Sequence, residues 1–440
     1  MTNILLLGAG LVARPLVKYL LEQKFNLTIA DKDLARATEM VGNNPNGTIT
    51  DLDVNDTKSL SDLIKKHDLV ISLLPYTFHY KVAGICLEHK KHMVTTSYVS
   101  AEMRALHPIA RDKGILLLNE IGVDPGTDHM SAMKVIDTVK AEGGKIVSFE
   151  SVTGGLPAPE SNDNPFGYKF SWSPRGVILA GRNNAQYIKD GKHIEIEGKD
   201  LFNNYWSDEV KGLGTLEVYP NRDSILYRDL YDLHDAKTVF RGTYRNPGWC
   251  QTLYNIAKLG YLNLDENESL HGKTMAELTA MLIGKNSTED ILRNTAAFLG
   301  IDAECEPISK MNWLGLFDDL AVKADFPTYL DMLAKLMNNK MQYAAGEQDM
   351  IVMKHKFIAE YTDGKQKEIT STMINKGIPN GDSSMARTVS LPAAIGAEMI
   401  AKGVIKKAGV FIPIQTEFYN PILKKLETMD IKFIEEEKVL

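Results

Sequence analysis

The stretch Ile4-Leu5-Leu6-Leu7-Gly8-Ala9-Gly10-Leu11-Val12-Ala13 constrains this chain more than any other. Four apolar residues, a Gly-x-Gly-x-x-Ala turn and a helical pattern read as a strand, a tight turn and a helix N-terminus. Gly8 permits the sharp bend, Gly10 lets the backbone approach a pyrophosphate with no Cβ in the way, and Ala13 lets the helix pack closely on the strand. The unpaired N–H groups and dipole of the helix start then attract phosphates. Gly8, Ala9, Gly10 and Leu11 are therefore expected to touch a dinucleotide.

The surrounding pattern supports that reading. From residue 1 to about 127, strand and helix signals alternate, with apolar strands near 26–30, 48–51, 69–74, 92–96 and 115–118. That is the pattern of a Rossmann-type doubly wound parallel sheet, an α/β fold. Ser100 is expected to cap a helix running to Lys113, with Gly114 as the left-handed residue after it, and Thr57 to cap 58–66. After Gly126 comes one helix (128–141), then alternating segments at 146–152, 193–196, 215–219 and 237–241, which predict a mixed or antiparallel sheet and hence an α+β domain.

Residues 248–345 are dense in helix formers, notably 275–282, 290–299 and 329–336, and read as a helical insertion. Strands return at 349–361 and 367–375, and 387–402 is a long apolar helix. The expected division is a nucleotide-binding domain over 1–127 rejoined by 386–440, a substrate-binding and dimerisation domain over 128–247 and 346–385, and a helical insertion domain over 248–345.

Composition narrows the function. With 440 residues, 44% of them apolar, the chain can supply two or three cores. No apolar run is long enough to span a membrane and the first strand leaves no room for a signal peptide, so a soluble cytoplasmic protein is expected. Cys86, Cys250 and Cys305 lack metal or redox spacing and read as buried thiols. A net charge of −7 argues against a nucleic-acid partner, so local arginines must bind any anionic substrate.

The remaining cofactor candidates fall at strand ends. Asp31, a little over twenty residues past Gly8, is placed to accept hydrogen bonds from the adenosine ribose and to repel a 2′-phosphate, which favours NAD; Lys32 beside it can pair with that phosphate and leaves NADP open. Asp53 and Leu74 are expected to flank the adenine and the pyrophosphate. Thr96, Ser97 and Tyr98 follow the fifth strand with hydroxyls at the same edge.

Longer motifs are also present: Asp68-Leu69-Val70-Ile71-Ser72-Leu73-Leu74-Pro75-Tyr76, Val94-Thr95-Thr96-Ser97-Tyr98, Gly122-Val123-Asp124-Pro125-Gly126, Gly154-Gly155-Leu156-Pro157-Ala158-Pro159-Glu160, Tyr168-Lys169-Phe170-Ser171-Trp172-Ser173 and Tyr219-Pro220-Asn221-Arg222-Asp223-Ser224. Through them the chain closely resembles the glutamate-forming saccharopine dehydrogenases, both the free-standing fungal form and the dehydrogenase half of the animal bifunctional form. The resemblance runs from residue 2 past 420.

It implies a three-domain subunit, a homodimer, and reversible NAD(P)-dependent interconversion of saccharopine with L-glutamate and 2-aminoadipate 6-semialdehyde in lysine metabolism. By position it places the cofactor on Gly8, Ala9, Gly10, Leu11, Asp31, Lys32, Asp53, Val54, Leu74, Thr96, Ser97, Val123, Asp124, Pro125 and Trp172. It places substrate on Ser97, Tyr98, Arg222, Thr243, Tyr244 and Arg245. Two departures stand out: Lys32 replaces an arginine of the fungal NADP enzymes, with Asp31 closer to the animal NAD-linked form, and Thr153 replaces a cysteine.

Saccharopine carries three carboxylates, a primary amine and a bridging secondary amine, so its site needs bidentate cations; Arg222 and Arg245 suit that need. Hydride leaves the carbon beside the secondary amine for the nicotinamide, and water hydrolyses the resulting imine. Asp124 and Tyr98 are the candidates for handling protons, Asp124 alternatively as a hydrogen-bond partner of the nicotinamide or the substrate amine. Asp124, Asp128 and His129 could suggest a metal, but imine chemistry needs no Lewis acid and Asp128 is expected to cap the helix at 128; no metal is assigned. Two competing functions are a carbon–nitrogen reductase of polyamine precursors, similar to carboxynorspermidine dehydrogenase, and a catalytically silent NAD(H) sensor.

Overall fold

The computed structural model describes residues 2–319 and 326–440. Strand and helix first alternate: β1 (Asn3–Leu7), α1 (Ala13–Glu22), β2 (Asn26–Asp31), α2 (Leu34–Val41), β3 (Gly47–Asp51), α3 (Thr57–Lys65), β4 (Leu69–Ser72), α4 (His79–Glu88), β5 (His92–Thr95), α5 (Ala101–Ala105), α6 (His107–Asp112), β6 (Leu116–Leu118) and α7 (Thr127–Ala141). Strands then dominate, as β7 (Gly144–Pro157), α8 (Pro174–Ala180), β8 (Ala185–Lys189), β9 (Lys192–Ile196), β10 (Trp206–Val210), β11 (Gly214–Pro220), α9 (Leu226–Leu230) and β12 (Thr238–Arg245). A run of helices follows, α10 (Trp249–Leu259), α11 (Met275–Leu282), α12 (Ile291–Leu299), α13 (Glu306–Leu314) and α14 (Tyr329–Lys340). The chain closes with β13 (Asp349–Tyr361), β14 (Gln366–Lys376), α15 (Ser384–Ala401), β15 (Gly409–Phe411), α16 (Thr416–Glu427) and β16 (Ile434–Val439).

Contacts divide the described residues into two compact units, Met1–Lys145 with Met373–Glu435, and Ile146–Thr372 with Glu436–Leu440. The first unit holds a sheet of order β15-β6-β5-β4-β1-β2-β3, in which each registered pair is parallel. Helices cover both faces of such a sheet, which is why β1 reads as an unbroken apolar run: Ile4, Leu5, Leu6 and Leu7 are all fully buried. The long helix α15 packs on α1, where Tyr19 donates to Glu398 and Arg14 pairs with Asp382 at 2.5 Å.

The second unit holds a mixed sheet of order β10-β11-β12-β7-β13-β14-β16, with β8 on β12 and β9 on β8. One hydrophobic core joins strand residues Val218, Phe240 and Tyr244 to helix residues Leu253, Ile256, Met311 and Leu333. The segment that the sequence sets apart as an insertion thus shares its core with the sheet.

Local boundaries differ from expectation for clear reasons. Asp56, one residue before Thr57, is the N-cap of α3, because its carboxylate reaches both Lys58 N–H at 3.1 Å and Ser59 N–H at 3.2 Å. Ser100 does cap α5, accepting from Met103 N–H at 3.1 Å, but the helix expected to reach Lys113 breaks at Leu106. Pro108 lacks the N–H that would have bonded back to Arg104.

Candidate active site

The order of the parallel sheet reverses between β4 and β1, so the loops after these strands open a crevice at the carboxyl edge, where such sheets bind ligands. Gly8 holds φ +100, and a Cβ there would lie 3.2 Å from the Leu73 carbonyl, so only glycine passes under that loop. At Gly10 a Cβ would meet nothing within 4 Å, leaving the turn open on its outer side. Helix α1 begins behind Val12, whose side chain offers no cap; Ala13 N–H donates to Gly10 O at 3.1 Å and Pro15 carries no N–H, so it is the turn's backbone and the positive end of the helix dipole that face an anion. Leu11 stands two-thirds exposed beside them. These features fit a dinucleotide pyrophosphate.

Asp31 is already at work at the end of β2: its Oδ2 accepts from Ala9 N–H at 2.5 Å and its Oδ1 from Asp33 N–H at 2.7 Å. Lys32 turns toward Asp53, with Nζ 3.0 Å from Oδ2. The Asn55 N–H first, and Lys32 next, hold the Asp53 carboxyl below its ordinary value. Lys81 steadies the next residue by donating to Val54 O at 2.8 Å. Leu74 lies half-buried in the turn after β4.

After β5, Thr96 and Ser97 are half-buried and Tyr98 is exposed. A buried histidine that sequence reasoning did not single out underlies this loop: His79 Nδ1 lies 3.0 Å from Ser72 Oγ, and Nε2 lies 2.8 Å from Ser97 Oγ and 3.1 Å from Thr95 Oγ1. Burial pushes its pKa down to about 4, so the ring is neutral near pH 7 and bridges the loops after β4 and β5. Tyr98 donates toward Asp124 Oδ1 at 3.4 Å, bringing the two proton-handling candidates together.

Asp124 sits in a closed loop with a cis Asp124–Pro125 bond, where Gly122 N–H meets Pro125 O at 2.9 Å and Thr127 N–H meets Gly122 O at 2.9 Å. Gly126 is obligatory, since a Cβ there would lie 2.2 Å from Gly122 N. It also takes the N-cap position of α7 expected for Asp128, which instead occupies the first turn and accepts from Gly126 N–H at 2.5 Å. His129 points elsewhere, with Nε2 2.7 Å from Glu120 Oε2 in a fully buried pair. Asp128 and His129 are therefore tied to different partners.

In the second unit, Thr243 lies between Thr153 on β7 and Tyr219 on β11. Arg245 follows on the same face, its guanidinium 5.0 Å from the Tyr168 ring, 5.4 Å from Trp249 and 5.9 Å from Tyr219. The residue opposite it in register, Glu217, spends its carboxylate on Gly248 N–H at 2.7 Å and Cys250 N–H at 2.8 Å at the start of α10. Arg245 donates from Nη1 to Tyr244 O at 2.8 Å, but among the described residues it has no ion pair and its Nε has no acceptor. It is 7% exposed. Its charge is met here by aromatic faces and one main-chain carbonyl.

The other candidates of this unit divide. Tyr244 alternates to the opposite face, where its hydroxyl donates to Asp208, itself 3.0 Å from Lys354. Arg222 sits on an exposed turn with φ +53, its carbonyl accepting from Gln186 N–H at 2.9 Å. Trp172 is 44% exposed beside Ser173, the N-cap of α8. Tyr168 opens the Tyr168–Ser173 motif without any local signal for this role, and Trp249 has none at all, because the ring of aromatics closes only in three dimensions.

The comparisons with known proteins agree with one another. The family profile for the saccharopine dehydrogenase NADP binding domain matches residues 4–118, and that for the saccharopine dehydrogenase C-terminal domain matches residues 122–431. The chain is 39% identical to the saccharopine dehydrogenase [NADP(+), L-glutamate-forming] of Schizosaccharomyces pombe, covering 99% of each. It is 37% identical to the mitochondrial alpha-aminoadipic semialdehyde synthase of Bos taurus, covering 98% of this chain and 47% of that longer protein. Among solved structures, apo saccharopine dehydrogenase (L-Glu forming) from Saccharomyces cerevisiae superimposes with a TM-score of 0.92 at 38% identity, covering both chains fully.

Proposed function

The chain belongs to the saccharopine dehydrogenase family, an oxidoreductase of lysine metabolism acting on saccharopine, and on that premise we propose how its residues divide the reaction. Saccharopine, a nicotinamide acceptor and water are converted reversibly to L-glutamate, 2-aminoadipate 6-semialdehyde, the reduced nicotinamide and a proton. When bound, the nicotinamide takes the hydride from the carbon beside the secondary amine. Gly8 to Leu11 and the start of α1 hold the pyrophosphate, while Asp53, Val54 and Leu74 flank the rest of the nucleotide. Thr96, Ser97, Val123, Pro125 and Trp172 shape the nicotinamide end.

Arg245 and Arg222 take substrate carboxylates, with Thr243 and the Tyr244 main chain beside them. Asp124 and Tyr98 move the protons: one off the secondary amine as hydride departs, and one between water and nitrogen as the carbon–nitrogen bond breaks. The observation that carries this reading is Arg245, a nearly fully buried guanidinium with no acidic partner among the described residues. The same buried cation would repel the diamine of a polyamine precursor. We propose further that residues 1–127 with 386–440 form the nucleotide-binding domain and 128–247 with 346–385 the substrate and dimerisation domain, with 248–345 a helical part that shares the core of the latter's sheet, within a cytoplasmic homodimer as the family resemblance implies.

We assign NAD as the preferred acceptor. The family profile matched over residues 4–118 and the fungal relatives are both named for NADP and favour it; the NAD reading rests instead on the carboxylate at the end of β2 and on Lys32 being drawn to Asp53. Mixing the protein with saccharopine and NAD, then NADP, and following absorbance of the reduced nicotinamide tests both points. Absorbance with neither acceptor would identify a silent sensor, and faster reaction with NADP would overturn the NAD assignment.

A further inference from the structure

Resting on the assignment of Tyr98 and Asp124 to proton handling, we propose that Glu120 is the positioning residue that sets these two groups against each other. Its main chain and side chain grip the loop on both sides of Tyr98: Glu120 N–H donates to Ser97 O at 3.1 Å, and Oε1 accepts from Val99 N–H at 2.9 Å. Its other oxygen, Oε2, meets His129 Nε2 at 2.7 Å in the first turn of α7. That contact closes the base of the 120–129 loop, whose tip is Asp124. One side chain thus joins the segment that carries Tyr98 to the segment that carries Asp124, and their oxygens lie 3.4 Å apart.

The position is costly in other respects. Glu120 is 4% exposed and holds φ +54, a conformation that a residue with a Cβ rarely adopts. Glycine would suit such a backbone, yet it could not reach Val99 or His129. Burial by itself would raise the carboxyl, but the hydrogen bond and charge of His129, with the Val99 N–H and the more distant Arg104, hold it below its ordinary value. An ionised acceptor serves both partners at once.

A double-mutant cycle separates positioning from mere packing. Glu120→Ala should lower kcat for saccharopine by about tenfold or more, with the cofactor KM within about threefold, because the pyrophosphate turn is untouched. Glu120→Gln, which keeps the acceptor for Val99, should recover kcat to within about threefold. In a Tyr98→Phe background, itself slow, Glu120→Ala should cost little more. If the Glu120 loss persists in full on top of Tyr98→Phe, the positioning role is wrong while the Tyr98 assignment stands. If Tyr98→Phe alone retains normal turnover, the Tyr98 assignment fails and the inference with it. Should Glu120→Ala not fold, Glu120→Asp carries the same cycle, its carboxylate one methylene too short to span Val99 and His129.

Discussion

On the reading proposed above, negative charge at the carboxyl edge of the parallel sheet is met by backbone: an open glycine turn, a helix start without a side-chain cap and an acid that braces the turn from β2. On β12 it is met by one guanidinium inside a ring of aromatic faces, with the neighbouring acid diverted to a helix start. The first arrangement draws on the consecutive residues of the glycine turn and on one brace, Asp31, 22 residues past Ala9. The second draws on Tyr168, Tyr219, Arg245 and Trp249, which lie on different elements, and it rests on a single charge. Damage should therefore be graded at the sheet edge and abrupt at the arginine.

The largest effect expected from that contrast is at Arg245. Arg245→Met should reduce kcat/KM for saccharopine by about two to three orders of magnitude, since losing one partner of a buried charged contact costs about 3–5 kcal/mol. Folding stability should hold or rise, because an uncompensated buried cation is removed. Arg222→Ala, on an exposed turn, should raise KM for saccharopine by roughly ten- to a hundredfold, the value of about 1.5–3 kcal/mol for a charge-assisted pair. Calorimetry showing normal saccharopine affinity in the Met variant, or a collapse of its melting temperature, would make Arg245 a structural residue and erase the contrast.

At the sheet edge, the coenzyme preference should be smaller and adjustable. NAD should exceed NADP by roughly tenfold in specificity constant, about 1.4 kcal/mol, because a 2′-phosphate brings about −1.5 to −2 charges toward Asp31. Lys32 offers only partial relief, as a hydrated point charge already held by Asp53. Asp31→Asn is the sharper variant: it removes the repulsion but keeps an acceptor for Ala9 N–H, whereas serine is too short to brace the turn. The ratio of specificity constants should move toward one. Native preference for NADP at physiological salt would show that Lys32 governs this strand end.

This asymmetry also explains what could be read in advance. The fingerprint turn, the strand ends and Asp124 in its glycine- and proline-bounded loop were legible because each function lies within a few consecutive residues. His79, Glu120 and the aromatic ring around Arg245 were not: partners of His79 lie 7 to 18 residues away, those of Glu120 9 to 23, and the ring draws Tyr168 from about 80 residues before Trp249, contacts that no periodicity announces. Tyr244 illustrates the converse: its motif neighbours Thr243 and Arg245 share a face, and strand alternation alone sends its hydroxyl to Asp208.

A modest effect should distinguish the two regions in acid. His79 has a folded pKa near 4, below its ordinary 6.5, so as pH falls through 6.5 the unfolded chain takes up a proton that the folded chain refuses. Stability is thus fully present above pH 6.5 and declines toward pH 4, by about 1 kcal/mol between neutrality and pH 5.5 for this group. Chemical denaturation of His79→Asn at both pH values should show a shallower decline than the native protein. Parallel curves would place the acid sensitivity elsewhere and remove His79 as the neutral bridge under Ser97.

The smallest change is expected at Thr153, beside Thr243 on the arginine-bearing face. Its Oγ1 is buried and finds no hydrogen-bond partner among the described residues, so a hydroxyl there costs stability without binding anything in this chain. A thiol is nearly the same size, less costly to bury and a weak donor. Thr153→Cys should accordingly leave turnover within about threefold and stability equal or slightly higher, because the hydride and proton steps assigned to the nicotinamide, Asp124 and Tyr98 use no sulfur. Arg245 two residues along the same face keeps its charge in either case, and with it the affinity for saccharopine. A tenfold gain in kcat on introducing the thiol would show that this face does more than bind, and that the cysteine carried by the family performs chemistry that this chain lacks.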